Sequence, residues 1–280
     1  MRVLIHNVDH GQCTVIIMPN GERVMIDCGI LSEGDAYWWP SIHYYGQRFA
    51  LLAFTNLDED HAEDFESVQR YAPPNWILTN PSVGYQRLVG LKPDGMGNGI
   101  ASVARWMAAP KNPVPKPLDF GGAVGRWYCN TYVPGDETND LSLVLIVQYG
   151  PFKILFSGDM ERAGWRRLLR WPDFVRDLIG VNVFVASHHG RESGCLEELF
   201  EGWRPDIFVI SDGEIQHDTQ ETNDWYRTRS GGLPVLGTWE RRYVLTTRSD
   251  GTSQIDVQPD GRYLVTPGVW VPTTPKARIA

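Results

Sequence analysis

Thr55-Asn56-Leu57-Asp58-Glu59-Asp60-His61 follows directly on the apolar run Phe49-Ala50-Leu51-Leu52-Ala53-Phe54. The run has the length and composition of a buried strand, and a strand ending in Asp-x-Asp-His has no packing use for so much charge. A divalent metal has one, because carboxylate oxygen and imidazole nitrogen are its usual protein ligands. Asp58, Asp60 and His61 stand at i, i+2 and i+3 on a post-strand loop and can converge on one point. The plainer alternative is an acidic surface loop, with Asp60 capping a helix that begins near Ala62. Two later clusters decide between them: Ser157-Gly158-Asp159 after Ile154-Leu155-Phe156, and Ser187-His188-His189-Gly190 after the apolar run 181–186. Three strand ends carrying Asp and His predict one metal centre.

Each neighbouring residue has a structural and a functional reading. Asp159 caps a helix from Glu161, or bridges two ions held ~3.5–4 Å apart. His188 and His189 end a strand, where adjacent side chains face opposite ways, so one ligates while the other meets substrate. Arg191 binds a phosphate or carboxylate oxygen, or makes an exposed salt bridge. Asp27 orients a ligand histidine, or forms a turn. The lone histidines His6, His10 and His43 read as ordinary, and His217 as a candidate for a pocket rim. A serine-triad enzyme is excluded by the lack of any G-x-S-x-G elbow. The eleven tryptophans are dispersed, as packing residues are.

Composition bounds the rest. The chain has 280 residues, 42% of them hydrophobic, enough for a full core. Its net charge of −8 argues against non-specific coating of nucleic acid and against a basic membrane-docking surface. A nuclease stays open, because a bound metal reverses the local sign of the potential. Cys13, Cys28, Cys129 and Cys195 form no C-x-x-C pair and read as reduced thiols. The N-terminus is too short and polar for a signal peptide, and no apolar run approaches the ~20 residues of a membrane span. These features lead us to expect a cytoplasmic protein with no membrane partner; oligomeric state is not legible.

The turn residues Pro19-Asn20-Gly21-Glu22 predict an opening hairpin of β-branched runs. A helix is expected over residues 62–71, stopped by Pro73-Pro74, then a short strand at 76–79. Residues 81–125 read as a loop-rich insertion because of Lys92-Pro93-Asp94-Gly95-Met96-Gly97-Asn98-Gly99 and the Pro-rich stretch 110–117, with a short helix near 102–107. A second hairpin (141–147 and 152–156), a helix at 161–170, strands at 181–186 and 207–210, a helix at 194–202 and a β-rich finish follow. The pattern predicts one layered α/β domain over 1–265 and a Pro-containing tail over 266–280.

These motifs, in this order, resemble the metallo-β-lactamase superfamily, and within it the branch of the ComEC-type C-terminal domain and the phosphorylcholine esterases. Asn7-Val8-Asp9-His10-Gly11-Gln12-Cys13-Thr14 is similar to that branch's D-V-G-Q-G-D, Met25-Ile26-Asp27-Cys28-Gly29 to its L-I-D-T-G, and Thr55 to His61 to its T-H-x-D-x-D-H. Asn139-Asp140-Leu141-Ser142-Leu143-Val144-Leu145, Phe156-Ser157-Gly158-Asp159 and Ser187-His188-His189-Gly190 resemble N-x-x-S-L-V-L, L-L-T-G-D and H-H-G. The resemblance implies an αββα sandwich with its site at one edge. It implies one metal position made by Asp60, His61, Asp159 and His189, and another made by Asp58, the bridging Asp159, Asn56 and Asn139. Asn56 and Asn139 depart from histidine, and an amide oxygen suits Mn²⁺ or Mg²⁺ better than zinc. The second position is therefore weak, manganese-filled or empty.

The expected function is metal-dependent hydrolysis of a phosphodiester, DNA or RNA first, with one or two Zn²⁺ or Mn²⁺ ions activating water. Asp60, His188 and Arg191 are the candidate catalytic residues. The rival expectations are a hydrolase of another ester, thioester or lactam, and a non-catalytic binding protein that keeps the fold.

Overall fold

A computed structural model describes residues 1–32, 36–109 and 118–275. Within them the hydrophobic runs form two seven-stranded sheets. The first holds β1 (Arg2–Ile5), β2 (Thr14–Ile17), β3 (Arg23–Ile26), β4 (Phe49–Ala53) and β5 (Pro74–Leu78). The second holds β6 (Leu118–Phe120), β7 (Ala123–Cys129), β8 (Leu143–Tyr149), β9 (Phe152–Phe156), β10 (Val183–Val185), β11 (Ile207–Ile210) and β12 (Val244–Thr246). The chain then returns to the first sheet as β13 (Ser253–Val257) and β14 (Tyr263–Thr266). The orders are β14-β13-β1-β2-β3-β4-β5 and β12-β11-β10-β9-β8-β7-β6.

Strand alternation makes the layers. In β8, Leu143, Leu145 and Val147 point into the core between the sheets, where Val3, Ile5, Ile26, Leu51 and Ile154 also lie. Val144 and Ile146 point the other way, onto Trp165, Leu168, Phe174 and Leu178 of the helices Arg162–Leu168 and Pro172–Leu178. Met25, Leu52 and Phe54 of the first sheet pack outward on Phe65, Val68, Leu88, Ile100 and Val103. Sheets buried on both faces need near-continuous apolar strands, which explains runs such as Phe49–Ala53. Truncating one of the inner side chains, Leu145 for instance, costs ~2–5 kcal/mol.

In each sheet one group of strands is parallel: β3, β4 and β5 in the first, and β9 to β12 in the second. Their carboxyl ends carry Asp27, Thr55, Asp159, Ser187 and Ser211, and such an edge is where open α/β sheets bind ligands.

Several expectations need correction. The helix expected over 62–71 is broken into Glu59–Ala62 and Phe65–Tyr71. Asp64 sits at the break because its carboxylate accepts from Ser41 N (2.7 Å) and Ser41 Oγ (3.0 Å), while its N–H donates to Cys28 O (3.1 Å). The segment expected to be loop-rich contains helices Tyr85–Leu91 and Asn98–Ala108. Its glycines serve close approach: a Cβ on Gly97 would lie 2.3 Å from the Glu59 carboxylate carbon, and one on Gly99 2.3 Å from Ala62 O. The Pro-rich stretch 110–117 lies outside the described residues. In place of the helix at 194–202 there are single turns, Glu192–Gly194 and Glu197–Phe200, with Cys195 O tied to Arg162 Nε (2.8 Å). Part of the proline-containing tail folds back, Thr274–Pro275 pairing antiparallel with Ala36–Tyr37. No helix among the described residues is long and apolar enough to cross a membrane, and Cys13, Cys28 and Cys195 are free thiols.

Candidate metal centre

Asp60, His61, Asp159 and His189 each bring one donor atom to within 4.8 Å of all the others. Their approach is fixed by the backbone. Gln12 N donates to Asp60 O (3.2 Å) and Cys28 N to His61 O (2.8 Å), seating the loop after β4 between the first two loops. A Cβ on Gly29 would lie 2.4 Å from Asp60 O, and one on Gly11 2.6 Å from it, so both positions admit only glycine. Gly158, at φ +55°, turns the chain after β9 so that Asp159 faces His61.

His188 and His189 are not on a strand end as expected. β10 stops at Val185, and both histidines adopt left-handed backbone (φ +50° and +51°) ahead of Gly190. Such residues cost on the order of 1–3 kcal/mol each and persist where the surroundings over-determine them. The turn separates the two rings. His189 joins the cluster, whereas His188 Nδ1 meets Glu161 Oε1 (3.0 Å) and Ser193 Oγ (2.9 Å).

Each ligand imidazole is aimed by its other nitrogen. His61 Nδ1 lies 2.9 Å from Asp27 Oδ2, whose carboxylate also accepts from Thr55 N (2.7 Å) and Thr55 Oγ1. That pairing holds a proton on Nδ1 and directs Nε2 at Asp159 Oδ1, 3.1 Å away. His189 Nδ1 donates to Ser211 O (2.8 Å), leaving Nε2 facing Asp60 Oδ2 at 3.1 Å and Asp159 Oδ1 at 3.5 Å. Nε2 is thus ion-paired with Asp60, although the pair makes no hydrogen bond of good geometry.

The charges point the same way. Burial opposes a proton on His61, yet the Asp159, Asp27 and Asp60 carboxylates hold its pKa well above the ordinary value; His189 is raised likewise by Asp159 and Asp60 against its burial. Burial also opposes ionisation of Asp159, but the two imidazoles draw its pKa down. Two carboxylates and two imidazole nitrogens, whose protons a bound cation would displace, make a donor set that fits a divalent cation.

The other expected ligands form a separate corner. Asn56 Nδ2 donates to Asp58 Oδ2 (3.2 Å) and Asn139 Oδ1 (3.0 Å), and Asn139 Nδ2 to Glu161 Oε1 (3.1 Å). Asp58 is ion-paired with Lys92 and lies outside the four-donor group. Arg191 Nη2 donates to His10 Nε2 (3.0 Å), and the His10 ring stacks on His189 with centroids 5.4 Å apart. His10 therefore walls the site, although as a lone histidine it read as ordinary; its place in the Gly11-Gln12 loop was the available signal. Ser211 contributes a carbonyl, which carries no side-chain signature. His217 is exposed and opens a turn through Gln220 Oε1 (3.0 Å).

No protein-family model matches the chain. Recombination protein 2 of Haemophilus influenzae is 25% identical over 219 residues, a match covering 75% of this chain and 24% of that protein. The chain thus spans about a quarter of this curated relative. Among solved structures, CmlA, a diiron β-hydroxylase from Streptomyces venezuelae, aligns with a TM-score of 0.50 and 13% identity over 81% of this chain and 50% of its own. Zn²⁺-bound PqqB from Methylobacterium extorquens aligns with a TM-score of 0.50 and 10% identity over 94% of this chain and 99% of its own. These likenesses show the fold alone, a mixed α/β sandwich of the metallo-β-lactamase type. Within it, the chain carries a candidate centre for a divalent metal.

Proposed function

We propose that this protein is a metal-dependent hydrolase of phosphodiester bonds, acting in the cytoplasm on DNA or RNA with Zn²⁺ or Mn²⁺. The observation that carries the reading is the convergence of Asp60, His61, Asp159 and His189, each with a donor atom within 4.8 Å of the others. A bound ion supplies a Lewis acid that lowers the pKa of water toward ~7. The chain's own residues hold the rest of the geometry. Asp27 and Ser211 O fix the tautomers of the two ligand histidines, and Asp159 carries the charge that balances a cation. His188, next to His189 in the chain, and Arg191, bonded to the His10 ring that stacks on His189, are the groups to bind and orient an anionic oxygen. A carboxylate-rich donor set and an Arg beside it support a phosphate substrate. A relative named for recombination makes DNA the first nucleic acid to try.

The test is hydrolysis of bis-p-nitrophenyl phosphate and of labelled single-stranded DNA, duplex DNA and RNA by protein loaded with Mn²⁺ or Zn²⁺. Asp60→Ala and His189→Ala serve as controls. Hydrolysis by wild type, lost in both variants, is the expected result. Equal rates in all three proteins, or no cleavage of any phosphodiester, would sink the reading.

A further inference from the structure

Lys92 follows the helix Tyr85–Leu91 and directs its ammonium to Asp58 Oδ1. The contact is largely enclosed, with side-chain exposures of 18% for Lys92 and 27% for Asp58. Asp58 stands two residues before Asp60, so the ammonium is held beside the loop that supplies two of the four donors.

An ion in this corner would need oxygens from Asn56, Asp58 and Asn139, and all are engaged. Asn56 Oδ1 accepts from Leu57 N (2.6 Å) and Asn139 Oδ1 from Asn56 Nδ2 (3.0 Å). Asp58 Oδ2 accepts from Asn56 Nδ2 (3.2 Å) and Thr138 Oγ1 (3.1 Å), and Oδ1 takes the Lys92 ammonium. An entering ion would have to break these bonds and expel a resident positive charge. The four-donor cluster is the opposite case, since its four donor atoms already converge within 4.8 Å and an entering ion would displace only protons.

We propose that Lys92 is a built-in replacement for a second metal ion. Its ammonium supplies the positive charge that Asp58 requires, and the centre takes a single ion. The inference rests on the four-donor cluster being a metal centre, but not on which bond the enzyme cleaves.

The test is Mn²⁺ stoichiometry, measured on the full chain by elemental analysis after equilibrium dialysis and by electron paramagnetic resonance for spin-coupled pairs. Wild type is expected to hold one ion, uncoupled, up to millimolar Mn²⁺. Lys92→Ala, and Lys92→Met, which keeps the stem's packing, are expected to rise toward two with a coupled signal. Lys92→Arg is expected to stay at one. Two ions in wild type, or one ion in both uncharged variants with the fold intact by circular dichroism, would overturn the proposal for Lys92 alone. No ion in wild type would overturn it together with the metal-centre reading, so the two failures are distinguishable.

Discussion

Two neighbouring groups of polar residues stand at the same sheet edge, and they resolve their polarity in opposite ways. Asn56, Asp58, Asn139, Thr138 and Lys92 satisfy one another through hydrogen bonds and an ion pair. Asp60, His61, Asp159 and His189 do so only by holding protons between them: buried carboxylates draw protons onto buried imidazoles, and His189 Nε2 meets Asp60 at 3.1 Å without a well-formed hydrogen bond. A buried polar group without a well-formed hydrogen bond costs about 1–3 kcal/mol, so the second group has reason to take a cation and the first has none. Amides and a lysine close a corner; histidines and aspartates with fixed tautomers keep one open.

The largest break in this contrast should come from His189→Ala or Asp159→Ala. Each is expected to abolish stoichiometric metal binding and to cut hydrolysis by at least ~10³-fold, since removing one ligand leaves the rest badly matched. Calorimetry with Mn²⁺ or Zn²⁺ checks the first, and full occupancy in either variant would erase the contrast. The stabilisation that excess ion gives wild type, about 2.7 kcal/mol at 100 times Kd, should vanish in the same variants.

Asp27→Asn should be milder. It keeps the shape but weakens the acceptor that sets the His61 tautomer, and such partners typically contribute 10–100-fold in metal affinity. Competition against a chromophoric chelator reads that shift.

Proton linkage sharpens the contrast further. His61 and His189 have raised pKa values in the metal-free fold, so their stabilising contribution is complete below the ordinary value of 6.5 and is lost as pH rises through the folded values. The lowered Asp159 works at the other end, its contribution fading as pH falls below 3.8. Metal-free protein should accordingly lose stability above about pH 6.5, while ion affinity rises with pH because those protons must leave. Urea unfolding at several pH values with and without Mn²⁺ tests both signs; parallel curves would remove the two histidines from the ligand set.

Gly29→Ala should displace Asp60, because the new Cβ would lie 2.4 Å from its carbonyl oxygen. A stability loss of about 1–3 kcal/mol, as for overpacked sites, with weakened ion binding is expected from thermal melts and titration. Asn139→Ala is the smallest change. It should cost roughly 1 kcal/mol for lost hydrogen bonds and leave the ion at the four-donor cluster undisturbed; loss of that ion would join the two corners into one site.

Much of this site was legible because its ligands sit where apolar runs stop. Asp60, His61, Asp159 and His189 are charged or polar residues immediately after buried strands, and the structure brings those four together. Asn56 and Asp58 have the same sequence placement, and Asn139 stands ahead of a strand, but these three pair among themselves, with Lys92, more than thirty positions along in a segment read as loop, closing on Asp58. That segment misled because glycine signals flexibility in sequence but close approach in space. Gly99 N and Ile100 N donate to the Glu59 carboxylate (2.6 and 3.0 Å), so the glycines begin a helix seated on the Asp/His loop. The backbone of His188 and His189, left-handed against ordinary preference, had no local signal.

The parallel strands β3, β4, β9, β10 and β11 bring Asp27, His61, Asp159, His189 and Ser211 to one place from points spread over most of the chain. Contacts of such long sequence separation form late, after loop closure has been met by the packing of both sheets. A nascent chain ending before Ser211 would carry ligands without the carbonyl that aims His189. Tight capture of an ion would thus certify completed assembly: the four donors converge only in molecules whose two sheets have already packed together.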